Sequence, residues 1–207
     1  MNRTFFAAAG AVITWFAVVI QFYLMMENRQ IPVTEIMVRF FSYFTILTNI
    51  LVAVFFTSHL LWSNSKLKNF FQQPGTVTAV TLYITMVGLV YQVMLRHIWH
   101  PQGLQKLVDE LLHSVVPVIV ILYWSLFVDK TKVHWKQIPS WLVYPSLYLM
   151  WVLIRGALSK FYPYYFIDVA SIGYAKAIPN IILLILLFIF FSCLFVLLAK
   201  WIRSISH

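Results

Sequence analysis

The sequence predicts an all-α membrane protein, a polytopic bundle of six transmembrane helices. Of the 207 residues, 62% are hydrophobic and 10% are charged, and the mean hydropathy is +0.85. A soluble core of this size cannot hide so much apolar surface. Six nearly charge-free runs are each about long enough to cross a hydrocarbon layer of about 30 Å as a helix that rises about 1.5 Å per residue. They exceed the roughly 10 residues of a barrel strand and lack strict alternation, which favours helices.

The predicted spans follow one another with short connections. They are Thr4 to Met26, Phe40 to Trp62, Thr76 to Leu95, Leu111 to Val128, Ile138 to Ile154 and Ala177 to Ala199. The first has an apolar run of about 22 residues, longer than the core of a cleavable signal, so we expect an uncleaved span. Pro117 in the fourth span and Pro145 in the fifth predict kinks, because proline lacks an amide hydrogen. No linker composition or internal period divides the sequence, so we expect a single domain over residues 1–207.

The basic residues indicate how the helices are oriented. If successive loops alternate sides, eight of the 15 Lys and Arg residues lie on the side shared by both termini and seven on the other. The second side also carries five of the six acidic residues, namely Glu27, Glu35, Asp109, Glu110 and Asp168. The first side carries only Asp129. This difference predicts a cell-membrane protein with both termini in the cytoplasm.

Charge, cysteine and histidine content narrow the classes of function. The net charge of +9 is spread singly over short loops, so anionic lipid headgroups explain it better than a nucleic-acid partner does. The only cysteine, Cys193, cannot form an intramolecular disulfide or a thiolate metal cluster. A metal site built from His97, His100 and His113 is an alternative, but no spacing matches a zinc pattern, and we expect neither a metal nor another cofactor. We interpret His59 as an interfacial or helix-bonded histidine.

His113 is the most informative residue, because it is ionisable and lies in the largely apolar run from Leu111 to Val128. Burying such a group is costly unless it has partners, so it marks a candidate functional site. At about 1.5 Å per residue, His113 lies about 6 Å into the membrane and Thr45 of the second span about 10 Å in from the same side, close enough to meet. A polar face on the second span is predicted to consist of Ser42, Thr45, Thr48 and Asn49.

A hydroxyl beside an imidazole is the pair that nucleophilic catalysis needs, because the imidazole takes the proton and the oxygen attacks an acyl carbon. Thr45 and His113 are therefore the candidate catalytic residues. Asp109 could orient the imidazole, and Asn49 or Ser114 could orient a group or donate to an oxyanion. Structural alternatives stay open, since a threonine in a span commonly bonds its own helix, a histidine can be an interhelical donor, and Asp109 can mark the water boundary.

An aromatic stretch follows the fifth span. After Arg155 and Gly156 it contains Tyr162, Pro163, Tyr164, Tyr165 and Asp168. Such a cluster is typical of an aromatic belt at the membrane interface, and the alternative is a lid over a lipid pocket. The Arg155 side chain could extend to the interface or pair with Asp168.

Several motifs together resemble one family over nearly the whole chain. They are Phe44-Thr45-Ile46, Leu112-His113-Ser114-Val115-Val116-Pro117, and Arg155-Gly156 with Tyr162-Pro163-Tyr164-Tyr165-Phe166-Ile167-Asp168. With six spans, they are similar to small bacterial six-helix membrane proteins distantly related to the androgen-induced threonine hydrolases, which cleave fatty acid esters of hydroxy fatty acids. The resemblance implies that Thr45 is the nucleophile and His113 the base, with Thr48 as a neighbouring alternative to Thr45.

The leading hypothesis is an intramembrane threonine-dependent lipid ester hydrolase that acts near the outer leaflet on membrane lipids or lipid-like esters. A related acyltransferase would differ only in whether water or another lipid accepts the acyl group. The competing class is a transporter or ligand-binding membrane protein. In such a protein, His113, Asp109 and Arg155 would line a path for protons or a ligand. A purely structural protein is the third option. The sequence identifies no oligomeric partner.

Overall fold

The computed structural model describes residues 2–61 and 65–205, and within them every regular element is helical. The chain forms two compact units, Met1–Lys132 and Val133–His207. Five described helices are long and apolar enough to cross a membrane, and a pair of helices bent by 70° is a sixth candidate. The predicted all-α membrane bundle is confirmed. Trp62, the predicted end of the second span, lies outside the described residues.

The described part of the first unit contains seven α-helices. They are α1 (Arg3–Glu27), α2 (Val33–Phe40), α3 (Phe44–Leu61), α4 (Lys66–Gln72), α5 (Pro74–Val90), α6 (Gly103–Glu110) and α7 (Val116–Phe127). A π-helical segment, Tyr91–Leu95, extends α5, and a second one, Leu111–Val115, joins α6 to α7. Helices α1 and α5 both pack against α3 and α7, so these four helices form the core of the unit.

Small residues let α1 approach α3 closely. Ala7 and Ala17 are fully buried, and a Cβ added to Gly10 would lie 2.6 Å from the ring of Phe56. Interfaces between membrane helices favour small residues because packing contacts, not the exclusion of water, hold the helices together. One cluster of buried side chains links Ala17 to Leu112, which belongs to the second π-helical segment. The segment that carries His113 is therefore anchored in the core.

The second span is bent, although the sequence predicted one continuous helix from Phe40. Helix α2 ends at Phe40 and α3 begins at Phe44, and the Ser42 hydroxyl between them donates to the Val38 carbonyl at 2.6 Å. Helix α2 also carries an ion pair, which favours the membrane surface over the hydrocarbon interior. Two corrections follow. Ser42 does not share a helical face with Thr45, and Thr45 lies in the first turn of α3.

The fourth span begins at Gly103, eight residues before the predicted start at Leu111, because α6 continues directly into the π-helical segment. Within that segment, the Val116 amide donates to the Leu111 carbonyl, five residues earlier. Pro117 cannot donate to the carbonyl four residues before it, that of His113. The sequence predicted a kink at this proline, and the structure has a local π-helix directly before it, a feature that is rare and occurs often at functional sites.

The second unit contains the fifth and sixth membrane-length stretches. Its described α-helices are α8 (Ile138–Trp141), α9 (Val143–Ser159), α10 (Val169–Ile172) and α11 (Tyr174–Ile205). The stretches Trp135–Ser159 and Tyr174–Ile205 extend beyond the predicted spans at both ends. The sequence predicted a kink at Pro145, and the helix is interrupted three residues earlier, at Leu142, where α8 ends and α9 follows. Pro145 then lies in the first turn of α9, where a missing amide hydrogen removes no helical bond.

A buried lysine caps the C-terminal end of α7. The Nζ atom of Lys130 donates to the carbonyls of Trp124, Ser125 and Val128 at 2.5 to 3.2 Å, and it lies 4.4 Å from the centre of the Trp124 ring. A cation is favourable here, because the last carbonyls of a helix lack partners and carry the negative end of its dipole. Burial lowers the pKa of the Lys130 ammonium to about 8.

Candidate functional site

The structure brings Thr45 and His113 together. Thr45 Oγ1 lies 3.4 Å from Nε2 of His113, although the two residues are 68 positions apart in the sequence. Thr45 is held by the first turn of α3, and His113 by the π-helical segment before α7. The His113 side chain is only 12% exposed. A hydroxyl and an imidazole are thus paired in a largely enclosed place between two core helices.

The other nitrogen of the His113 ring is held by Asp109. Nδ1 lies 2.9 Å from the Asp109 backbone carbonyl and 3.3 Å from its carboxylate Oδ1. Both of these atoms are acceptors, so the ring proton belongs on Nδ1 and the lone pair on Nε2, which faces Thr45. The orienting role that the sequence proposed for Asp109 fits this geometry. In this tautomer the imidazole can accept a proton from the threonine hydroxyl.

Tyr91 is also part of the site, although it was not among the residues predicted from the sequence. Its ring stacks on the His113 ring with centroids 4.1 Å apart and planes inclined by 16°, and its hydroxyl donates to Asp109 Oδ2. A tyrosine near the end of an apolar span needs a partner for its hydroxyl when it is buried, and this was the available signal. Finding that partner requires the register between the third and fourth spans, which two π-helical segments shift. The resulting series is Tyr91, Asp109, His113, Thr45.

Both π-helical segments contribute to this series, since one begins at Tyr91 and the other contains His113. Gly88, one turn before Tyr91, allows the two helices to approach. A Cβ at Gly88 would lie 3.1 Å from the His113 carbonyl oxygen and 3.3 Å from Pro117. π-Helical segments are rare and occur often at functional sites, which makes two of them around one histidine an independent indication of function.

Asn49 has a different position from the one the sequence proposed. Its Nδ2 donates to the Thr45 carbonyl at 2.8 Å and to the Leu112 carbonyl at 3.4 Å. Both amide hydrogens are therefore engaged, and none is directed at an oxyanion. The fully buried side chain links α3 to the π-helical segment beside Thr45 and His113. Its Oδ1 has no hydrogen-bond partner among the described residues.

Ser114 belongs to a second polar network, one residue along the chain from His113. Its hydroxyl donates to Glu110 at 2.7 Å and accepts from Gln92 at 3.0 Å, and Arg96 contacts both Gln92 and Glu110. This network ties the end of the third span to the start of the fourth. Ser114 thus contributes to the register of the site, and its hydroxyl is not directed at Thr45.

The other predicted pocket residues lie in the second unit and make local contacts there. The Arg155 guanidinium lies 4.7 Å from the Phe161 ring centre, and Tyr162 packs its ring directly on Gly156. The Tyr164 ring stacks on that of Phe166, and Tyr165 is 49% exposed. Asp168 caps α10 through hydrogen bonds from Ser171. These contacts describe an ordered aromatic segment, and its role as a lid stays a prediction.

The metal alternative finds no support in the geometry. Across residues 2–61 and 65–205, no group of three or more His, Cys, Asp or Glu side chains is placed to hold a metal ion. The set His97, His100 and His113 therefore does not come together. His113 is instead engaged by Thr45 and Asp109.

No protein-family model matches the chain, and no curated protein or solved structure matches it. The site has the parts of an activated hydroxyl nucleophile: an enclosed hydroxyl, an imidazole in the proton-accepting tautomer, and a carboxylate behind it.

Proposed function

We propose that this protein is an intramembrane threonine-dependent hydrolase of lipid esters, with Thr45 as nucleophile and His113 as general base. The observation that carries the proposal is the 3.4 Å approach of Thr45 Oγ1 to His113 Nε2, while Nδ1 is held by Asp109. This order of groups activates a hydroxyl for attack on an acyl carbon. The resemblance to the threonine hydrolases supports the same two roles.

The reaction starts when His113 Nε2 takes the hydroxyl proton and Thr45 Oγ1 bonds to the ester carbonyl carbon. The tetrahedral intermediate then expels the alcohol, which receives the proton from His113, and an acyl-threonine remains. His113 next takes a proton from water, whose oxygen attacks the acyl carbon. Collapse of this second intermediate releases the fatty acid, and Thr45 recovers its proton from His113. Water is consumed, and an acid and an alcohol are released.

The start of α3 favours this chemistry electrostatically. Thr45 lies in the first turn of α3, at the end of the helix where the dipole is positive. During the attack, negative charge develops on the oxygen of the ester carbonyl, close to the Thr45 hydroxyl. The positive end of the helix dipole stabilises a negative charge that develops this close to it. This helix end replaces Asn49 as the proposed source of oxyanion stabilisation.

A lipid substrate follows from the surroundings of the pair. The site lies between helices that are long and apolar enough to cross a membrane, and a long acyl chain is already dissolved in that environment. With both termini in the cytoplasm, as the charge distribution favours, Thr45 and His113 lie toward the outer leaflet. The substrate would then enter laterally from that leaflet. The ester carbonyl of such a lipid, which lies close to the headgroups, would reach the Thr45 hydroxyl.

The test is covalent labelling of the purified protein with a fluorophosphonate probe, which reacts with activated hydroxyls. We expect the parent to be labelled and Thr45→Ala and His113→Ala to lose the label. Thr48→Ala is the matched control, because Thr48 is a fully buried threonine on the same helix. It should keep the label. Elution volume and thermal stability must show that each variant is folded.

Two results would overturn the proposal. One is a folded parent that is not labelled and cleaves none of a panel of fatty acyl esters. The other is solute or ion flux through the reconstituted protein that His113→Ala abolishes, because this result would identify a transport path. Transfer of the acyl group from a labelled ester to a second lipid instead of water would keep both residue roles and change the reaction to acyl transfer.

A further inference from the structure

A second polar cluster lies at the other end of the first unit, where α1 begins and α3 and α7 end. We call it the Arg3 cluster, and it consists of Arg3, His59, Lys68 and Tyr123. The Arg3 Nε donates to the Tyr123 hydroxyl at 2.8 Å, and an Arg3 terminal nitrogen lies 3.2 Å from His59 Nε2. The guanidinium carbon is 5.6 Å from the Tyr123 ring centre. An exposed arginine is therefore fixed by three contacts at the end of a bundle.

His59 takes part as a neutral acceptor. Its Nδ1 lies 3.0 Å from the Phe55 carbonyl, so the ring proton belongs on Nδ1. Nε2 is then free to accept from the Arg3 guanidinium, which can only donate. Lys68 lies on α4, which packs against α3, the helix that carries His59. The cluster thus combines two cations with an imidazole that adds no charge.

Buried aromatic rings hold Tyr123, the hydrogen-bond partner of Arg3, in place. Tyr123 is fully buried, and four phenylalanine rings lie with centroids 5.2 to 6.1 Å from its own. They are Phe6, Phe55, Phe56 and Phe127. These rings come from α1, α3 and α7, so the hydroxyl that orients Arg3 is fixed by three helices. A guanidinium held this way has already lost much of the conformational freedom that binding would otherwise remove.

The cluster has no internal counter-anion. Among the described residues, neither Arg3 nor Lys68 is in an ion pair with a carboxylate. Lys68 is itself only partly exposed, and it lies on α4, whose start is capped by Ser65. A guanidinium held in place by Tyr123 and His59, with a lysine on the adjoining helix and no carboxylate paired to either, defines a place for an external anion. The planar guanidinium matches the oxygens of a phosphate, which it can bind through two parallel hydrogen bonds.

We propose that the Arg3 cluster binds a phosphate group that carries a net negative charge, supplied by an anionic lipid headgroup. The free N–H groups of Arg3 would contact two phosphate oxygens, and the Lys68 ammonium would approach a third. A lipid is the favoured source because the ends of α1, α3 and α7 meet there, at the level that headgroups occupy. This site is separate from the Thr45 and His113 pair, and its existence does not depend on ester hydrolysis.

The experiment measures lipid-dependent thermal stabilisation of the full chain in detergent. Phosphatidylglycerol is compared with phosphatidylcholine of the same acyl chains, and inorganic phosphate is titrated separately. We expect phosphatidylglycerol to stabilise the parent at lower concentration than phosphatidylcholine. Arg3→Gln and Lys68→Gln should each weaken this preference about fivefold, as expected for one basic residue near a headgroup. Lys66→Gln, an equal loss of charge at an exposed position on the same helix, should leave it nearly unchanged.

Tyr123→Phe separates a built site from general attraction between charges. It keeps the ring and the net charge and removes only the hydroxyl that orients Arg3, so the phosphatidylglycerol preference should fall by about threefold to fivefold, the worth of a typical hydrogen bond. Elution volume and thermal stability without added lipid report whether this variant is folded. Stabilisation of the parent by inorganic phosphate as strong as that by the lipid would retain the phosphate site and identify free phosphate as its source. The proposal is overturned if the lipids act equally, or if Lys66→Gln weakens the preference as much as Arg3→Gln.

Discussion

Two histidines at opposite ends of the first unit share one restraint on Nδ1 and differ in the group that faces Nε2. Nδ1 of His113 lies 2.9 Å from the Asp109 carbonyl, and Nδ1 of His59 lies 3.0 Å from the Phe55 carbonyl. In both cases the acceptor is four residues earlier, so the helix itself fixes the ring proton on Nδ1. What then decides the chemistry is the group that faces Nε2.

That group is a hydroxyl at His113 and a guanidinium at His59. The hydroxyl of Thr45 can give up a proton, and the Asp109 carboxylate behind His113 stabilises the cation that forms. The guanidinium of Arg3 donates without losing its proton, and its charge opposes a second charge on the ring. The same intrahelical bond therefore prepares a base at one end and a neutral anchor for a cation at the other.

The largest expected effect is the loss of the base. His113→Gln should lower the rate of fluorophosphonate labelling by about 10³-fold, within the usual contribution of a general base. His97→Gln is a matched control, because His97 is an exposed histidine at the end of the third span. Labelling rates of the two variants at equal probe concentration provide the measurement. A His113→Gln variant that is labelled as fast as His97→Gln would show that the imidazole is structural.

The next effect tests the carboxylate. Asp109→Asn should slow labelling by about 10- to 100-fold, less than loss of the base, because the backbone carbonyl at 2.9 Å still holds the Nδ1 proton. The variant removes only the charge that stabilises the imidazolium. Labelling rates measured across a pH series will separate this electrostatic effect from misfolding, which would lower the rate equally at every pH. An unchanged rate would mean that Asp109 acts through its main chain alone.

The sequence predicted the spans and the approach of Thr45 to His113, and it could not predict how the helices are interrupted. Helix length and hydropathy follow from composition, and depth at a fixed rise per residue was enough to bring two residues from different spans to the same level. The bend at Ser42 depends on a side chain bonding back to the Val38 carbonyl. The π-helical segments depend on packing at Gly88 and Pro117. Such features follow from tertiary contacts and leave no periodic signal.

Asn49 and Tyr91 both show that contacts between helices could not be predicted from the sequence. Asn49 was correctly placed beside Thr45 by helical spacing, but which of its atoms faces the site depends on the Leu112 carbonyl of another span. Tyr91 was missed because its partner, Asp109, lies on the neighbouring span and the two π-helical segments change the register between them. Pairing between helices, not the character of each helix, is what the sequence alone leaves open.

Tyr91 gives a smaller and more specific prediction. Tyr91→Phe keeps the ring that stacks on His113 and removes the hydrogen bond to Asp109, so labelling should slow by about fivefold to tenfold. Tyr91→Leu removes the stacked ring as well and should slow it further. The pH profile of labelling should change in Tyr91→Phe, because the carboxylate behind the imidazole loses a donor. Equal profiles for parent and Tyr91→Phe would leave Tyr91 as a packing residue only.

The smallest expected effect concerns His59, and it tests whether this histidine is an anchor. His59→Gln retains a side-chain oxygen that can accept from Arg3, so the preference for phosphatidylglycerol should fall by only about twofold, a fraction of one hydrogen bond. His59→Leu removes the acceptor and should approach the threefold to fivefold loss of Tyr123→Phe. The lipid-dependent shift in thermal stability measures both variants. If His59→Gln lowered the preference for phosphatidylglycerol as much as His59→Leu does, the site would require the imidazole itself. His59 would then not be a simple hydrogen-bond acceptor for Arg3.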